Sequence, residues 1–138
     1  MIRAVAFDRN DPVSAAVVRP RSLAEALDLL REPSTRPLAG GTDLVVQAKE
    51  GGVAEEILVD LTGIDALRQI RESASEVSIG AAASHAEISE SALVQRHVPA
   101  LAMAARWIGS AQIRSRGTIG GNLANASPPG DALPALWA

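Results

Sequence analysis

Two glycine-rich segments contain the residues of this chain best suited to binding a ligand. The first is Gly40-Gly41-Thr42-Asp43 and the second is Gly117-Thr118-Ile119-Gly120-Gly121-Asn122. Glycines allow backbone amides to approach a ligand closely, and small hydroxyls add hydrogen-bond donors, so both segments suit phosphate. Neither matches the glycine fingerprint of a Rossmann fold or the Walker pattern, which excludes those two kinds of nucleotide site.

Each segment alone is weak evidence, because a pair of glycines also makes an ordinary tight turn. Together with Asn122, Ser127 and Asp131, however, the two segments hold more polar groups than turns require. A dinucleotide pyrophosphate has enough phosphate oxygens to use both. The residues therefore indicate a dinucleotide ligand, with a purely structural role for either segment as the alternative.

The other reactive side chains form no recognisable catalytic group. The chain has no cysteine, which excludes disulfides, thiolate zinc sites and any iron–sulfur cluster held by the chain itself. No Ser-His-Asp grouping is evident, and the two histidines have no acidic cluster at ligand spacing, so we expect no metal site. His85 is expected at the start of a helix with a hydrogen-bonded ring or, by the family resemblance described below, near the domain interior, and His97 is expected at the surface. Arg114 and Arg116 either face an acidic partner or phosphates, or act as solvated and helix-capping groups.

Length and composition indicate one globular domain over residues 1–138. Apolar residues make up 47% of the chain, charged residues 21% and aromatic residues 2%, with a net charge of −3. Few aromatics and a negative charge argue against nucleic-acid binding. No apolar stretch is long enough to span a membrane, and residues 1–10 lack the pattern of a signal peptide, so we expect a cytoplasmic location.

The pattern of elements in the first half is strand, helix and glycine turn. Ser22 and Glu25 predict a capping box at the start of a helix. The apolar face of that helix is predicted to pack inward and consists of Leu23, Ala26, Leu27 and Leu30. A strand at Pro37-Leu38 leads into the first glycine segment and then into a short helix that ends at Gly51-Gly52.

The second half alternates between strands and helices in the same way. We predict a buried strand at Ile57-Leu58-Val59, a half-exposed strand from Val77 to Ala81, and a second capping box at Ser84 and Glu87. The longest amphipathic helix should end at Gly109 and carry Trp107 in the core. From Ile113 to Asp131 the chain is rich in Gly, Asn, Ser and Pro, which predicts irregular structure, followed by a short helix capped by Asp131 with Pro134 in its first turn.

The two glycine segments resemble the flavin-binding signatures of a known family. The similarity is to the FAD-binding subunit (subunit M) of molybdenum hydroxylases. It covers Pro37-Leu38-Ala39-Gly40-Gly41-Thr42-Asp43-Leu44 and residues 118–131. This family includes the medium chain of carbon monoxide dehydrogenase and the flavin domain of xanthine dehydrogenase. The resemblance implies an α+β fold of the p-cresol methylhydroxylase and vanillyl-alcohol oxidase type, with the N-terminal subdomain and the start of the second.

The resemblance also implies which residues bind FAD. Those near residue 40 would cradle the pyrophosphate from one side and those near residue 120 from the other, whereas Ser127 and Asp131 would lie near the ribose and adenosine. Leu123 and Ala124 match apolar contacts near the isoalloxazine. The implied cofactor-binding residues are Leu38, Ala39, Gly40, Gly41, Thr42, Asp43, Leu44, Thr118, Ile119, Gly120, Gly121, Asn122, Ser127 and Asp131.

The function implied is electron transfer within a complex. Electrons would pass from iron–sulfur clusters on a partner subunit, after release at a molybdopterin-containing large subunit, to FAD and on to NAD, dioxygen or a quinone. The absence of cysteine fits this division of labour. Family subunits are about twice as long, so the sequence is expected to be a fragment of such a subunit. The alternative is a truncated, non-catalytic remnant or fragment of such a subunit that binds FAD weakly or not at all, and a stand-alone flavin oxidase is a third interpretation.

Overall fold

The computed structural model describes residues 16–50, 57–126 and 132–137, which form two compact units. One unit ends at Asp65 and the other begins at Ala66. Both combine helices with a small sheet, which confirms the predicted α+β class. Among the described residues, no helix has the length and apolar character needed to cross a membrane.

The first unit contains a parallel three-stranded sheet with helices in its crossovers. Its elements are β1 (Ala16–Val18), α1 (Leu23–Leu29), β2 (Thr35–Leu38), α2 (Leu44–Lys49) and β3 (Ile57–Asp60). The strand order is β1-β3-β2, so the predicted buried strand β3 is central. Because the crossover through α1 and the one through α2 move in opposite directions along the sheet, right-handed connections place the two helices on opposite faces.

The core of this unit follows from the alternation of side chains in β3. Leu58 packs with Ala48 of α2 on one face. Val59, which is fully buried, must point to the other face, because successive side chains of a strand alternate. On that face, the hydroxyl of Thr35 in β2 donates to the carbonyl of Leu29 at the end of α1 (3.1 Å).

Helix α1 begins as predicted but packs less completely. Ser22 Oγ accepts a hydrogen bond from the Glu25 backbone N–H (3.1 Å). The Glu25 carboxylate accepts from the backbone N–H of Arg21 rather than from that of the cap residue Ser22. Ala26 is buried, but Leu23 and Leu27 are exposed, so the prediction that the whole apolar face packs inward is wrong for these two leucines.

The second unit contains a two-stranded antiparallel sheet and several short helices. The strands are β4 (Ile70–Glu72) and β5 (Val77–Ile79). The helices are α3 (His85–Glu90), α4 (Ala92–His97), α5 (Pro99–Trp107), α6 (Ala111–Arg116), α7 (Ile119–Asn125) and α8 (Leu133–Trp137). Their core includes Ile88, Val94 and Leu101, with several alanines between the helices.

Two sequence predictions for this unit are wrong. Trp107 lies on α5 as expected, but its side chain faces solvent and is 80% exposed. The segment from Ile113 onward, predicted to be irregular, contains the end of helix α6 and all of helix α7. Serine and threonine caps at Ser110 and Thr118 start these helices and compensate for the poor helix propensity of the glycines.

Asp60 is a buried carboxylate at the end of β3, and it pairs with Arg19, the residue that follows β1. It accepts hydrogen bonds from the Thr62 backbone N–H (2.9 Å), the Thr62 hydroxyl (2.6 Å) and Arg19 Nε (2.8 Å). Burial by itself raises the pKa of Asp60, but the hydrogen bonds from Thr62 and Arg19 outweigh burial and hold this pKa below its ordinary value.

We predict that Asp60→Asn lowers the free energy of unfolding by about 1–3 kcal/mol at neutral pH, because charged hydrogen bonds are lost. A lowered pKa stabilises the fold above the ordinary aspartate pKa, and this stabilisation disappears as the pH falls through the folded value, below about pH 4. The two proteins should therefore converge in acid when urea unfolding is followed against pH. Asp28→Asn, which removes an exposed ion pair with Arg31, is the matched control and should have little effect.

Candidate functional site

The first glycine segment connects the edge strand β2 to helix α2. Gly41 has φ +76°, a left-handed conformation that strains any residue with a Cβ, and an added Cβ would lie 3.2 Å from Leu38 Cδ1. The Gly41 carbonyl accepts from the Val45 backbone N–H (2.9 Å) and so begins the first turn of α2. The predicted order of strand, glycine turn and helix is confirmed.

Apolar side chains at both ends hold the first segment in place. Leu38 and Leu44 pack against the cluster of Ala48 and Leu58. Leu38 is level with Asp60, the last residue of β3, so the segment lies at the carboxyl edge of the parallel sheet. Ligands of open α/β sheets bind at this edge. Between these anchors, the side chain of Asp43 makes no capping hydrogen bond to α2.

The second segment is the start of a helix rather than a loop. Thr118 is the N-cap of α7, and its buried hydroxyl oxygen accepts from the Gly121 backbone N–H (3.1 Å). Ile119 is buried in the core of the second unit. Gly120 and Gly121 thus occupy the first turn of α7, and Ala126 ends the helix in a left-handed conformation (φ 47°).

A short antiparallel backbone pairing holds this helix start in position. Residues 81–85 run beside residues 117–120, with a bridge between Ser84 and Thr118, which are the N-caps of α3 and α7. The pairing has three backbone hydrogen bonds, His85 N to Gly117 O (3.0 Å), Ile119 N to Ala83 O (3.0 Å) and Gly120 N to Ala81 O (2.8 Å).

The two adjacent glycines of the segment have different surroundings. A Cβ at Gly120 would lie 2.6 Å from the Ala81 carbonyl oxygen and 2.9 Å from Ala81 Cβ. A Cβ at Gly121 would approach only the Thr118 hydroxyl, at 2.9 Å. Gly120 is therefore required by backbone packing, whereas a Cβ at Gly121 would crowd a side-chain hydroxyl and no backbone atom outside α7.

Asn122 has an unsatisfied polar atom within the second segment. Its Oδ1 is buried and has no hydrogen-bond partner among the residues that the structure describes. A buried acceptor without a donor is costly, and such an atom in a folded protein calls for an explanation such as a ligand. The hydroxyl and N–H groups of FAD are donors of the required kind, so the residues present fit this cofactor.

Capping around α3 confirms the second predicted capping box. The Ser84 backbone N–H donates to the Glu87 carboxylate (2.7 Å), and Ser84 Oγ accepts from the Glu87 backbone N–H (3.1 Å). Arg68 also donates to Glu87 (2.6 Å). Burial alone raises the pKa of Glu87, but the hydrogen bonds from Ser84 and Arg68 lower it below its ordinary value.

The remaining candidates have structural positions. His85 is buried as the first residue of α3, as one of its two interpretations expected. His97 pairs with Glu72 of β4 at 2.8 Å. Arg114 donates to the carbonyl oxygens of Ile108 and Gly109 beyond the end of α5, which is the capping role. Ser127 and Asp131 lie outside the described residues, so their predicted roles remain predictions.

Sequence reasoning missed Gly80 and Ala81 as neighbours of the second segment. A Cβ at Gly80 would lie 2.2 Å from the Leu67 carbonyl oxygen, so three stretches of backbone come close together at this point. The run of small residues after β5, Gly80-Ala81-Ala82-Ala83, is the signal that could have indicated it.

Comparison with known proteins decides the family. Residues 11–138 match the family described as the FAD binding domain in molybdopterin dehydrogenase. The chain belongs to this family. It is 41% identical over 119 residues to the carbon monoxide dehydrogenase medium chain of Hydrogenophaga pseudoflava, and 37% identical over 120 residues to the nicotinate dehydrogenase FAD-subunit of Eubacterium barkeri.

These relatives are longer than the chain, and solved structures show the same fold. The two alignments cover 85% of this chain but 41% and 40% of the relatives, so the chain spans about 40% of their length. Carbon monoxide dehydrogenase from Oligotropha carboxidovorans superposes with a TM-score of 0.83 at 38% identity, covering 88% of this chain and 43% of that one.

We predict that the two glycines respond differently to alanine. Gly120→Ala forces a Cβ against the Ala81 backbone and should lower the free energy of unfolding by about 1–3 kcal/mol. Gly121→Ala gains about 1 kcal/mol of helix propensity and loses at most a comparable amount of the Thr118 cap, so its stability should be close to that of the wild type. Urea denaturation of the three proteins tests this prediction, and equal stability of the two variants would contradict it.

Proposed function

We propose that the chain supplies FAD-binding residues to a subunit of a molybdenum hydroxylase complex. The family match over residues 11–138, which includes both glycine segments, carries the proposal. The buried Asn122 Oδ1 gives independent support, because it needs a donor that no described residue provides. A cofactor-free structural role for the same segments would leave that atom unexplained.

Each segment would contribute in a different way. In the first, the turn at Gly41 leaves Thr42 and Asp43 between two leucine anchors at the carboxyl edge of the sheet. In the second, Gly121 and Asn122 face the cofactor while Thr118 and Gly120 hold the backbone in place. Leu123 is 42% exposed on α7 and offers apolar contact to a flavin ring. The proposed set is completed by Leu38, Ala39, Gly40, Leu44, Ile119, Ser127 and Asp131.

The proposed chemistry is that of the cofactor rather than of a catalytic side chain. Bound FAD would accept electrons from iron–sulfur clusters of a partner subunit and pass them to NAD, dioxygen or a quinone. This chain has no cysteine and so requires a partner to hold those clusters, with a molybdopterin-containing large subunit as the source of electrons. Its own residues would bind and orient the flavin. We expect such a complex in the cytoplasm.

We predict that the chain binds FAD more tightly than FMN, because the glycine segments are assigned to a pyrophosphate that FMN lacks. Titration of the purified protein, followed by flavin fluorescence, measures both dissociation constants. A wild type that binds neither flavin would favour the alternative, a remnant or fragment that does not hold FAD, over the proposed function. Equal affinity for the two flavins would remove the assignment to the pyrophosphate.

We predict that Asn122→Leu separates cofactor binding from stability. Loss of the hydrogen bond to Asn122 Oδ1 should weaken FAD binding by about three- to tenfold. The apolar side chain also removes a buried acceptor without a partner, so the free energy of unfolding without FAD should be unchanged or higher. Parallel flavin titration and urea denaturation provide the measurement. A parallel loss of stability and affinity would show that Asn122 is only a structural residue.

A further inference from the structure

Ala81 is a neighbour of the second segment whose small size the fold itself does not explain. It is exposed, whereas the four residues that follow it are all buried. The Ala83 backbone N–H donates to the Gly80 carbonyl (2.9 Å), which makes Ala81 the second residue of a β-turn. That position has negative φ here and accepts most residue types. Neither core packing nor turn geometry therefore requires alanine.

The side chain of Ala81 lies directly beside the start of α7. Its Cβ is 2.9 Å from the point that a Cβ on Gly120 would occupy, and its carbonyl accepts from the Gly120 backbone N–H (2.8 Å). A longer side chain at residue 81 could extend into solvent without disturbing the core. In doing so it would extend over the start of α7, beside Gly120.

We propose that Ala81 limits access to the second segment and so determines how tightly the protein binds a dinucleotide. Its methyl group leaves the start of α7 uncovered, so that a ligand can reach Gly121 and the side chain of Asn122. This inference rests on the proposed function, because it takes FAD as the ligand of this segment. It adds a residue outside both signatures, one that acts by its size rather than by a polar group.

The test is a series of larger side chains at residue 81, Ala81→Ser, Ala81→Val and Ala81→Leu. Dissociation constants for FAD and FMN are measured by flavin titration, and urea denaturation gives stability without flavin. Ala100→Leu, at an exposed alanine of α5, is the matched control. We expect FAD affinity to fall with side-chain volume, by about tenfold or more for leucine. The FAD-to-FMN preference should fall with it, while the urea midpoint stays that of the wild type and of the control.

The outcomes separate this inference from the proposed function. If the wild type binds FAD and Ala81→Leu binds it equally well, Ala81 does not limit access, and the proposed function stands. If affinity for both flavins falls in proportion to stability rather than to side-chain volume, residue 81 is only structural and the inference is overturned. Ala81→Ser keeps the test decisive if leucine prevents folding. A wild type that binds neither flavin overturns the proposed function and this inference together.

Discussion

The second unit depends on the close backbone pairing between residues 81–85 and residues 117–120. Three hydrogen bonds of 2.8–3.0 Å join the two stretches and place the N-caps of α3 and α7 side by side. Each cap satisfies a backbone N–H at the start of its helix, so the pairing and the two helices stabilise one another. Gly120 permits the approach because it has no Cβ to strike the Ala81 carbonyl.

This constraint gives neighbouring residues of one motif different physical roles. Thr118, Ile119 and Gly120 are used by the fold, as a cap, as a core side chain and as a point of close approach. Gly121 follows with its N–H bonded to the Thr118 hydroxyl, and then Asn122, whose Oδ1 lacks a donor among the described residues.

The first unit also holds its glycine segment in place, but through a sheet and leucine side chains. A central strand with a fully buried Val59 and a hydrogen-bonded Asp60 holds the carboxyl edge of the sheet, and leucines anchor the glycine turn there. The left-handed Gly41 reverses the chain between strand and helix. In both glycine segments, the fold itself requires one glycine: Gly41 for its left-handed φ and Gly120 for its close approach to Ala81.

The sequence by itself determined the short-range features of this protein. Caps at Ser22 and Ser84, the strands near Leu38 and Leu58, and the glycine turn before α2 depend on residues within about four positions of each other, and the structure confirms them. The family resemblance rested on the same local signatures. Tertiary structure alone decided that Trp107 faces solvent, that residues 119–125 are helical despite two glycines, and that Gly120 meets Ala81, nearly forty residues earlier in the chain. These outcomes depend on which surfaces the folded chain brings together, and local periodicity contains no information about contacts at that separation.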